Sequence, residues 1–284
     1  MMVEKLAEGY GLIEGPVWQP GVGLHFADVL FGGVFCLDAN REVTEVFEHR
    51  RGIGGMSLHE AGGMVVSGRN VAYKSFAGGD TVTLIEQDTT INRVGFNDIT
   101  ADAAGRVYAG SLGSSPVFDD GREPQAGDLY VIDLDGSWRI VANDVQLTNG
   151  LGFSPDGKTL YHSDTGQATV FRYDWREDGS LGEKTPFVGE QGVDGLVVSE
   201  DGAVWVALAS SGCVAVYEPN GDLRERIEIP LPMCTSVCFG GDDLKDLYIV
   251  TGSNGVEGDR RGTVFCHRTN VAGLEVPLAK VKVT

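Results

Sequence analysis

The sequence predicts an all-β protein, a six-bladed β-propeller, and we expect residues 1–284 to form this single domain. One pattern returns six times along the chain, at spacings of about 40 to 50 residues, which are typical of propeller blades with four strands each. No helical period persists for three turns in any part of the sequence. The repeat and the missing helical period therefore predict a closed array of β-blades.

The clearest copy of the pattern spans residues 148–164. Asn149 precedes Gly150, a short apolar run follows, and a tight turn at 154–157 leads to a second apolar run that begins near Leu160. This order of residues predicts a β-hairpin with a polar residue at its mouth. The other copies begin at Glu14, Gly55, Asn97, Asp194 and Thr235.

Residues 3–12 predict one strand that has no hairpin partner directly after it. In closed circular arrays the first strand often completes the last blade, and we expect the same arrangement here. The first repeat then contains four short β-branched or aromatic runs, joined by turns with Gly or Asn, at 17–18, 24–28, 33–37 and 42–47. Four strands in about 40 residues fit one propeller blade.

The later repeats contain strands of the same kind. The third repeat is longer because residues 114–126, which include Asp119 and Asp120, form an insertion. We interpret this insertion as a solvated loop, with a lid over the central channel as the alternative. The strands predicted for the second to sixth repeats lie at 64–67, 70–74, 81–85, 106–110, 128–132, 160–163, 168–173, 204–208, 213–217, 223–229, 247–250 and 263–266.

Composition narrows the class of function. The formal net charge is −19, and such a surface repels the phosphate backbone of nucleic acids and anionic lipids alike. The five cysteines form no CxxC pair and are odd in number, which indicates reduced thiols. The chain start lacks the pattern of a signal peptide, and no apolar segment is long enough to span a membrane. We therefore expect a cytoplasmic monomer or small homo-oligomer that acts on a small molecule.

Four of the leading residues carry a carboxylate or an amide oxygen: Glu14, Asn97, Asn149 and Asp194. If the repeats are arranged radially, equivalent positions meet at one axis, and two carboxylates and two amide carbonyls face one another. Oxygen ligands suit hard cations, above all Ca²⁺, with Mg²⁺ or Mn²⁺ possible. Zn²⁺ usually recruits His or Cys, so it is the less favoured alternative. The leading positions therefore predict a site for one divalent cation in a central channel.

The motifs resemble those of the SMP-30/gluconolactonase/luciferin-regenerating-enzyme family, over nearly the whole chain. The resemblance implies a six-bladed propeller that hydrolyses lactones with one divalent cation. It also implies that Glu14, Asn97, Asn149 and Asp194 bind the metal, and that Asp194 is the general base or nucleophile. The motifs are Glu14-Gly15-Pro16-Val17-Trp18, Asn97-Asp98 followed by Asp102 and Gly105-Arg106, Asn149-Gly150-Leu151, Asp194-Gly195-Leu196 and the run 235–241.

Two positions depart from the sugar-lactonase members of the family. Those members carry an Arg and a Glu that contact substrate hydroxyls, where this chain has Gly95 and Ser115. The remaining pocket residues that we predict are largely apolar, namely Met56, Phe96, Leu112, Phe118 and Ser236. An apolar wall fits a lactone or related ester with fewer hydroxyl groups than a sugar lactone.

Several residues also have a purely structural interpretation. Asn97 and Asn149 could be turn residues, because Asn tolerates the left-handed conformation. We interpret Asp102, Asp156 and Asp201 as residues that cap hairpin turns. His25 and His162 lie in apolar strands, and we interpret them as hydrogen-bonded core histidines. Trp18 and Trp205 are predicted to pack between blades.

Three functions remain open. The first is metal-dependent hydrolysis of a lactone or related cyclic ester. The second uses the same site on a phosphotriester or P–F bond, because a cation polarises a phosphoryl oxygen equally well. The third is a binding module in which calcium stabilises the propeller without catalysis.

Overall fold

The computed structural model describes residues 3–48, 50–91, 93–118, 121–254 and 256–283. These residues form six sheets of four antiparallel strands each. The predicted fold class, an all-β six-bladed propeller, is thereby confirmed. The predicted loop residues Asp119 and Asp120 lie outside the described residues.

The chain divides into two compact units. The first unit consists of Met1–Ile53 and Glu190–Glu275, and the second of Gly54–Gly189 and Val276–Thr284. Each unit contains three of the six sheets. That residues 1–284 form a single domain stays a prediction.

In the first unit, one edge strand of every sheet is more buried than the strand at the opposite edge. One sheet consists of β2 (Ile13–Gln19), β3 (Gly23–Asp28), β4 (Val34–Leu37) and β5 (Val43–Phe47). A second sheet consists of β18 (Val193–Val198), β19 (Val204–Leu208), β20 (Cys213–Tyr217) and β21 (Leu223–Glu228). The third consists of β22 (Cys234–Gly240), β23 (Asp246–Thr251), β24 (Gly262–Arg268) and β1 (Glu4–Tyr10).

The second unit repeats this plan three times in chain order. Its sheets are β6 (Met56–His59), β7 (Gly63–Val66), β8 (Val71–Ser75) and β9 (Val82–Ile85); β10 (Gly95–Ala101), β11 (Val107–Leu112), β12 (Gly127–Ile132) and β13 (Trp138–Val145); and β14 (Thr148–Phe153), β15 (Thr159–Asp164), β16 (Thr169–Asp174) and β17 (Thr185–Gly189). Two short 3₁₀ helices, Thr89–Ile91 and Thr165–Gln167, interrupt the loops. The described residues form no helix with the length and hydropathy that a membrane span requires.

The first strand of the chain belongs to the last sheet. β1 pairs antiparallel with β24, so that Glu4 stands opposite Cys266 and Tyr10 opposite Gly262. The early strand satisfies backbone groups that β24 would otherwise leave unpaired at the sheet edge. This confirms the prediction that residues 3–12 complete the last blade.

The turns within the hairpins use aspartate side chains as predicted. Asp102 Oδ1 accepts hydrogen bonds from the backbone N–H groups of Ala104 and Arg106. Asp156 Oδ1 accepts one from the N–H of Lys158, and Asp201 Oδ1 accepts one from that of Ala203. These side chains satisfy turn backbone groups and are therefore structural.

Aromatic residues pack between neighbouring sheets of the first unit. Trp18 of β2 stacks on Tyr248 of β23 with ring centroids 5.6 Å apart. Trp205 of β19 meets Phe239 of β22 edge-on at 5.3 Å. Both tryptophans therefore join adjacent blades, as the sequence predicts.

The C-terminal residues 276–283 form no strand but pack on the second unit. The N–H of Ala279 donates to Leu58 O and that of Lys280 to Gly105 O, both at 2.8 Å. Ala279 and Val281 are fully buried. The segment thus fills the core beside the turn ends of two sheets, a role that the repeat pattern does not predict.

Candidate metal centre

The four predicted ligands lie at irregularities in strand pairing. We call the first strand of each sheet in chain order (β2, β6, β10, β14, β18 and β22) its leading strand. Three leading strands place two successive residues opposite one residue of the next strand: Asn97–Asp98 opposite Gly110, Asn149–Gly150 opposite Ser163, and Asp194–Gly195 opposite Ala207. In β2 the register breaks directly after Glu14. Such β-bulges redirect side chains and are common beside active sites.

The leading strand of the second unit's first sheet has no bulge. β6 pairs with β7 without a break, from Met56 opposite Val66 to His59 opposite Gly63. This sheet also has glycines, Gly54 and Gly55, where the others carry polar residues. β22 carries no predicted ligand either, but its register with β23 breaks at Thr235, between Cys234 and Ser236. The regular leading strand is therefore the one that has glycines where the other five carry a residue with a side-chain oxygen.

Asn97 and Asn149 are brought together within the second unit. Asn97 Nδ2 donates to Asn149 Oδ1 at 2.6 Å and to the Thr148 carbonyl oxygen at 2.8 Å. Asn149 Nδ2 donates in turn to Thr165 Oγ1 at 2.6 Å. The donor groups of both amides are thus directed into the protein, and Asn149 Oδ1 keeps a second lone pair for a further interaction.

Gly54 provides the space that the Asn97 side chain occupies. A methyl group placed on Gly54 would overlap Asn97 Oδ1. The N–H groups of Gly54 and Gly55 both donate to Ser67 Oγ, at 3.2 and 2.8 Å. Ser67 therefore holds the two glycines in place, and the close approach of the backbone defines where the Asn97 amide can lie.

Asp98, the second residue of the β10 bulge, is a buried carboxylate that the sequence analysis assigned no role. Its side chain is 8% exposed. Burial raises the pKa of Asp98 to about 7. Among the described residues, Asp98 Oδ2 has no hydrogen-bond partner.

Glu14 and Asp194 lie in the first unit and are nearly buried, with 7% and 6% of their surfaces exposed. Their strands, β2 and β18, both pack against β22. Burial raises the pKa of the Cys234 thiol at the start of β22, and the charges of Asp194 and Glu14 raise it further. Thr235 Oγ1 also donates to the Ile13 carbonyl oxygen, which precedes Glu14. Both carboxylates are therefore close to the same short segment of β22.

The residues predicted to line a substrate pocket differ in their surroundings. Met56, Phe96 and Ser236 are buried, Leu112 is half-buried and Phe118 is exposed. Phe96 packs in the core of the second unit, edge-on against Tyr130. That these five residues line a substrate pocket stays a prediction.

The two positions that depart from sugar lactonases supply no charged group. A methyl group on Gly95 would lie 3.0 Å from the Gly68 carbonyl oxygen, which is a tight contact. Ser115 Oγ accepts a hydrogen bond from the Phe118 N–H and thereby stabilises its own loop.

His25 and His162 are core residues, as the sequence predicts. His162 is fully buried with Nε2 2.8 Å from Thr148 Oγ1, and His25 Nε2 lies 2.8 Å from Gln19 Oε1. Burial lowers the pKa of each imidazole from 6.5 to about 4, because the charged form loses hydration. Neither histidine is placed to carry a charge at neutral pH.

We expect acid to destabilise the protein through these histidines. The unfolded chain binds a proton near pH 6.5 whereas the folded chain does so only near pH 4, so stability falls as the pH drops between these values. Each histidine should cost about 2 kcal/mol of unfolding free energy between pH 7 and pH 5. Urea denaturation at both pH values, on the wild type and His162→Gln, measures this. An equal loss in both proteins would contradict the assignment of His162.

Comparison with known proteins gives relatives along nearly the whole chain. The 6-deoxy-6-sulfogluconolactonase of Pseudomonas putida is 32% identical over 278 residues, which cover 93% of this chain and 94% of that protein. The pentonolactonase XacC of Haloferax volcanii is 30% identical over 283 residues, covering 93% and 92%. Both are named as lactonases, which supports the predicted class of enzyme, a lactonase-type hydrolase.

A solved structure shows the same fold. The calcium-binding protein regucalcin from Agrobacterium tumefaciens matches with a TM-score of 0.86 at 23% identity, over 98% of this chain and 97% of that chain. The family model described as the SMP-30/Gluconolactonase/LRE-like region matches residues 12–253, which include all four predicted ligands. The family match and the two lactonase relatives confirm the resemblance seen in the motifs. The chain therefore belongs to the SMP-30/gluconolactonase/LRE-like family.

Proposed function

We propose that the protein hydrolyses a lactone with the help of one divalent cation held by Glu14, Asn97, Asn149 and Asp194. One observation carries the proposal: each of the four predicted ligands lies in or directly beside a break in strand register. Thr235 of β22 lies at such a break too, whereas β6, which has glycines at the equivalent positions, is regular. Bulges of this kind serve to redirect side chains.

The donor set fits a hard cation. Glu14 and Asp194 are nearly buried carboxylates, and such groups are costly to bury unless a positive charge or hydrogen bonds compensate them. Asn149 adds an amide oxygen in the second unit, beside Asn97. A set made only of oxygen donors favours Ca²⁺, with Mg²⁺ and Mn²⁺ as alternatives and Zn²⁺ less favoured.

In the proposed reaction a bound cation supplies Lewis-acid polarisation of the lactone carbonyl oxygen. The Asp194 carboxylate accepts a proton from the attacking water, whose oxygen forms the new bond to the carbonyl carbon. The ring C–O bond then breaks, and the proton passes to the leaving alkoxide to give a hydroxy acid. Direct attack by Asp194 on the carbonyl carbon is the alternative, followed by hydrolysis of the acyl-enzyme.

We further propose a lactone with fewer hydroxyl groups than a sugar lactone. Gly95 has no side chain, and the Ser115 hydroxyl is engaged by the Phe118 N–H. Neither position can therefore supply a charged group that binds several substrate hydroxyls. Because both lactonase relatives are named for sugar-derived lactones, sugar lactones are the necessary comparison.

The test is a panel of simple γ- and δ-lactones, sugar lactones and a phosphotriester, assayed after treatment with EDTA and after Ca²⁺ is added back. We expect EDTA to abolish lactone hydrolysis and Ca²⁺ to restore it, with higher kcat/KM on the simple lactones. If the phosphotriester is hydrolysed faster than every lactone, the enzyme is a phosphotriesterase and the proposed lactonase activity is wrong. A Ca²⁺-bound protein that is stabilised against heat yet hydrolyses nothing would be a binding module.

A further inference from the structure

The second residue of the bulge differs among the sheets. In β14 and β18 this position is glycine, Gly150 and Gly195. In β2 a glycine, Gly15, also follows the predicted ligand Glu14, although there it is the first residue of the bulge. In β10 the equivalent position carries the carboxylate of Asp98. Because the bulge forms in β14 and β18 with glycine, the Asp98 side chain is not required for the backbone geometry.

Asp98 differs from two other buried aspartates, Asp28 and Asp164. Asp28 Oδ1 accepts hydrogen bonds from the Leu30 and Phe31 N–H groups, and Asp164 accepts them from Gln146 and Leu147. These carboxylates are buried because they cap backbone groups. Asp98 Oδ2, by contrast, is buried without a hydrogen-bond partner among the described residues.

A buried carboxylate of this kind is costly. Taking an ionised carboxylate out of water without a compensating partner disfavours folding, and one unpaired oxygen is sufficient to lose part of the hydration energy. A cation bound nearby would compensate the buried negative charge. Asp98 directly follows Asn97, whose amide contacts Asn149, and both asparagines are predicted to bind the cation.

We propose that Asp98 stabilises the bound cation by its negative charge, as a positioning residue outside the four predicted ligands. The inference rests on the proposed cation site. Among the described residues, no group of three or more His, Cys, Asp or Glu side chains is arranged to hold a metal ion. Asp98 would therefore act on the cation by its charge, from a distance or through a water molecule.

This role predicts opposite effects on the metal-free and metal-bound protein. In Asp98→Asn the buried charge is removed, so the metal-free protein should melt at the same temperature as the wild type or higher. The affinity for Ca²⁺ should fall about tenfold, because groups next to metal ligands contribute at this level. The Ca²⁺-induced rise in Tm should shrink accordingly.

Asp102→Asn is the matched control, because it makes the same change of charge on the same sheet. Asp102 accepts backbone hydrogen bonds from Ala104 and Arg106 and pairs with the Arg106 guanidinium. This variant should melt earlier without metal but keep the wild-type affinity for Ca²⁺. The contrast separates an effect on the cation from a general loss of stability.

The experiment is calorimetric titration of EDTA-treated wild type, Asp98→Asn and Asp102→Asn with Ca²⁺, together with melting curves of each protein. Weaker binding in Asp98→Asn alone supports the inference. If the wild type and Asp98→Asn bind Ca²⁺ equally, the role of Asp98 is wrong but the cation site stands. If the wild type binds no divalent cation, both the inference and the proposed site are overturned.

Discussion

Replacement of Asp194 by asparagine is expected to lower kcat/KM for lactone hydrolysis by about 10³-fold. Asparagine has nearly the same shape but cannot accept a proton, and it carries no charge to bind a cation. Asp194 is only 6% exposed. Because asparagine has nearly the same shape and no charge that burial would disfavour, the variant should keep its fold. Steady-state kinetics at saturating Ca²⁺ and a melting curve in EDTA measure the two effects separately.

Asp201→Asn serves as control for Asp194. Asp201 belongs to the same sheet, but its carboxylate accepts from Ser199 Oγ and the Ala203 N–H and pairs with Arg224 at the hairpin turn. Its replacement should change the melting temperature and leave kcat/KM unchanged. An Asp194→Asn enzyme with activity within threefold of the wild type would refute the catalytic role of Asp194.

Replacement of Gly54 by alanine is expected to lower lactonase activity and Ca²⁺ affinity roughly 10- to 100-fold. The added methyl group overlaps Asn97 Oδ1, the far end of a side chain that can rotate away. Rotation of Asn97 also breaks its hydrogen bonds to Asn149 Oδ1 and the Thr148 carbonyl oxygen, which should cost about 1 kcal/mol of folding stability. Because the displaced atom is the oxygen of a predicted ligand, the fold-loss in Ca²⁺ affinity and activity should exceed what the small drop in melting temperature in EDTA accounts for.

Two other glycines, Gly55 beside Gly54 and Gly189 at the end of β17, give the contrast for this prediction. A methyl group on Gly55 would meet backbone atoms, Ile99 N at 2.5 Å and Asp98 Cα at 2.8 Å, which cannot rotate away. Gly55→Ala should therefore destabilise the fold, on the order of 2 kcal/mol. A methyl group on Gly189 meets nothing within 4 Å, so Gly189→Ala should change neither property. Wild-type Ca²⁺ affinity in Gly54→Ala would show that Asn97 is not a ligand.

The repeat, the strands and the turns could be predicted from the sequence because they depend on local chemistry. Alternating apolar residues specify strands, and Asp102 and Asp156 hold their turns through hydrogen bonds to residues a few positions away. The closing strand β1 was predictable for another reason. A lone strand before the first hairpin has no local partner, and in a closed array it can pair with the last blade. The candidate ligands could be chosen because they occupy equivalent positions in successive repeats.

Other features were decided by the tertiary structure alone. The bulge that places Asn97 and Asp98 opposite one residue depends on the neighbouring strand, and the space for Asn97 depends on Gly54, which lies in the loop before β6. An internal comparison of the repeats could have identified Asp98, because Gly15, Gly150 and Gly195 hold the corresponding position. Sequence alone determined the number of blades and which residues offer oxygen atoms. Tertiary packing alone decided which of these atoms are buried and which lie at a β-bulge, because both properties depend on residues far apart in the chain.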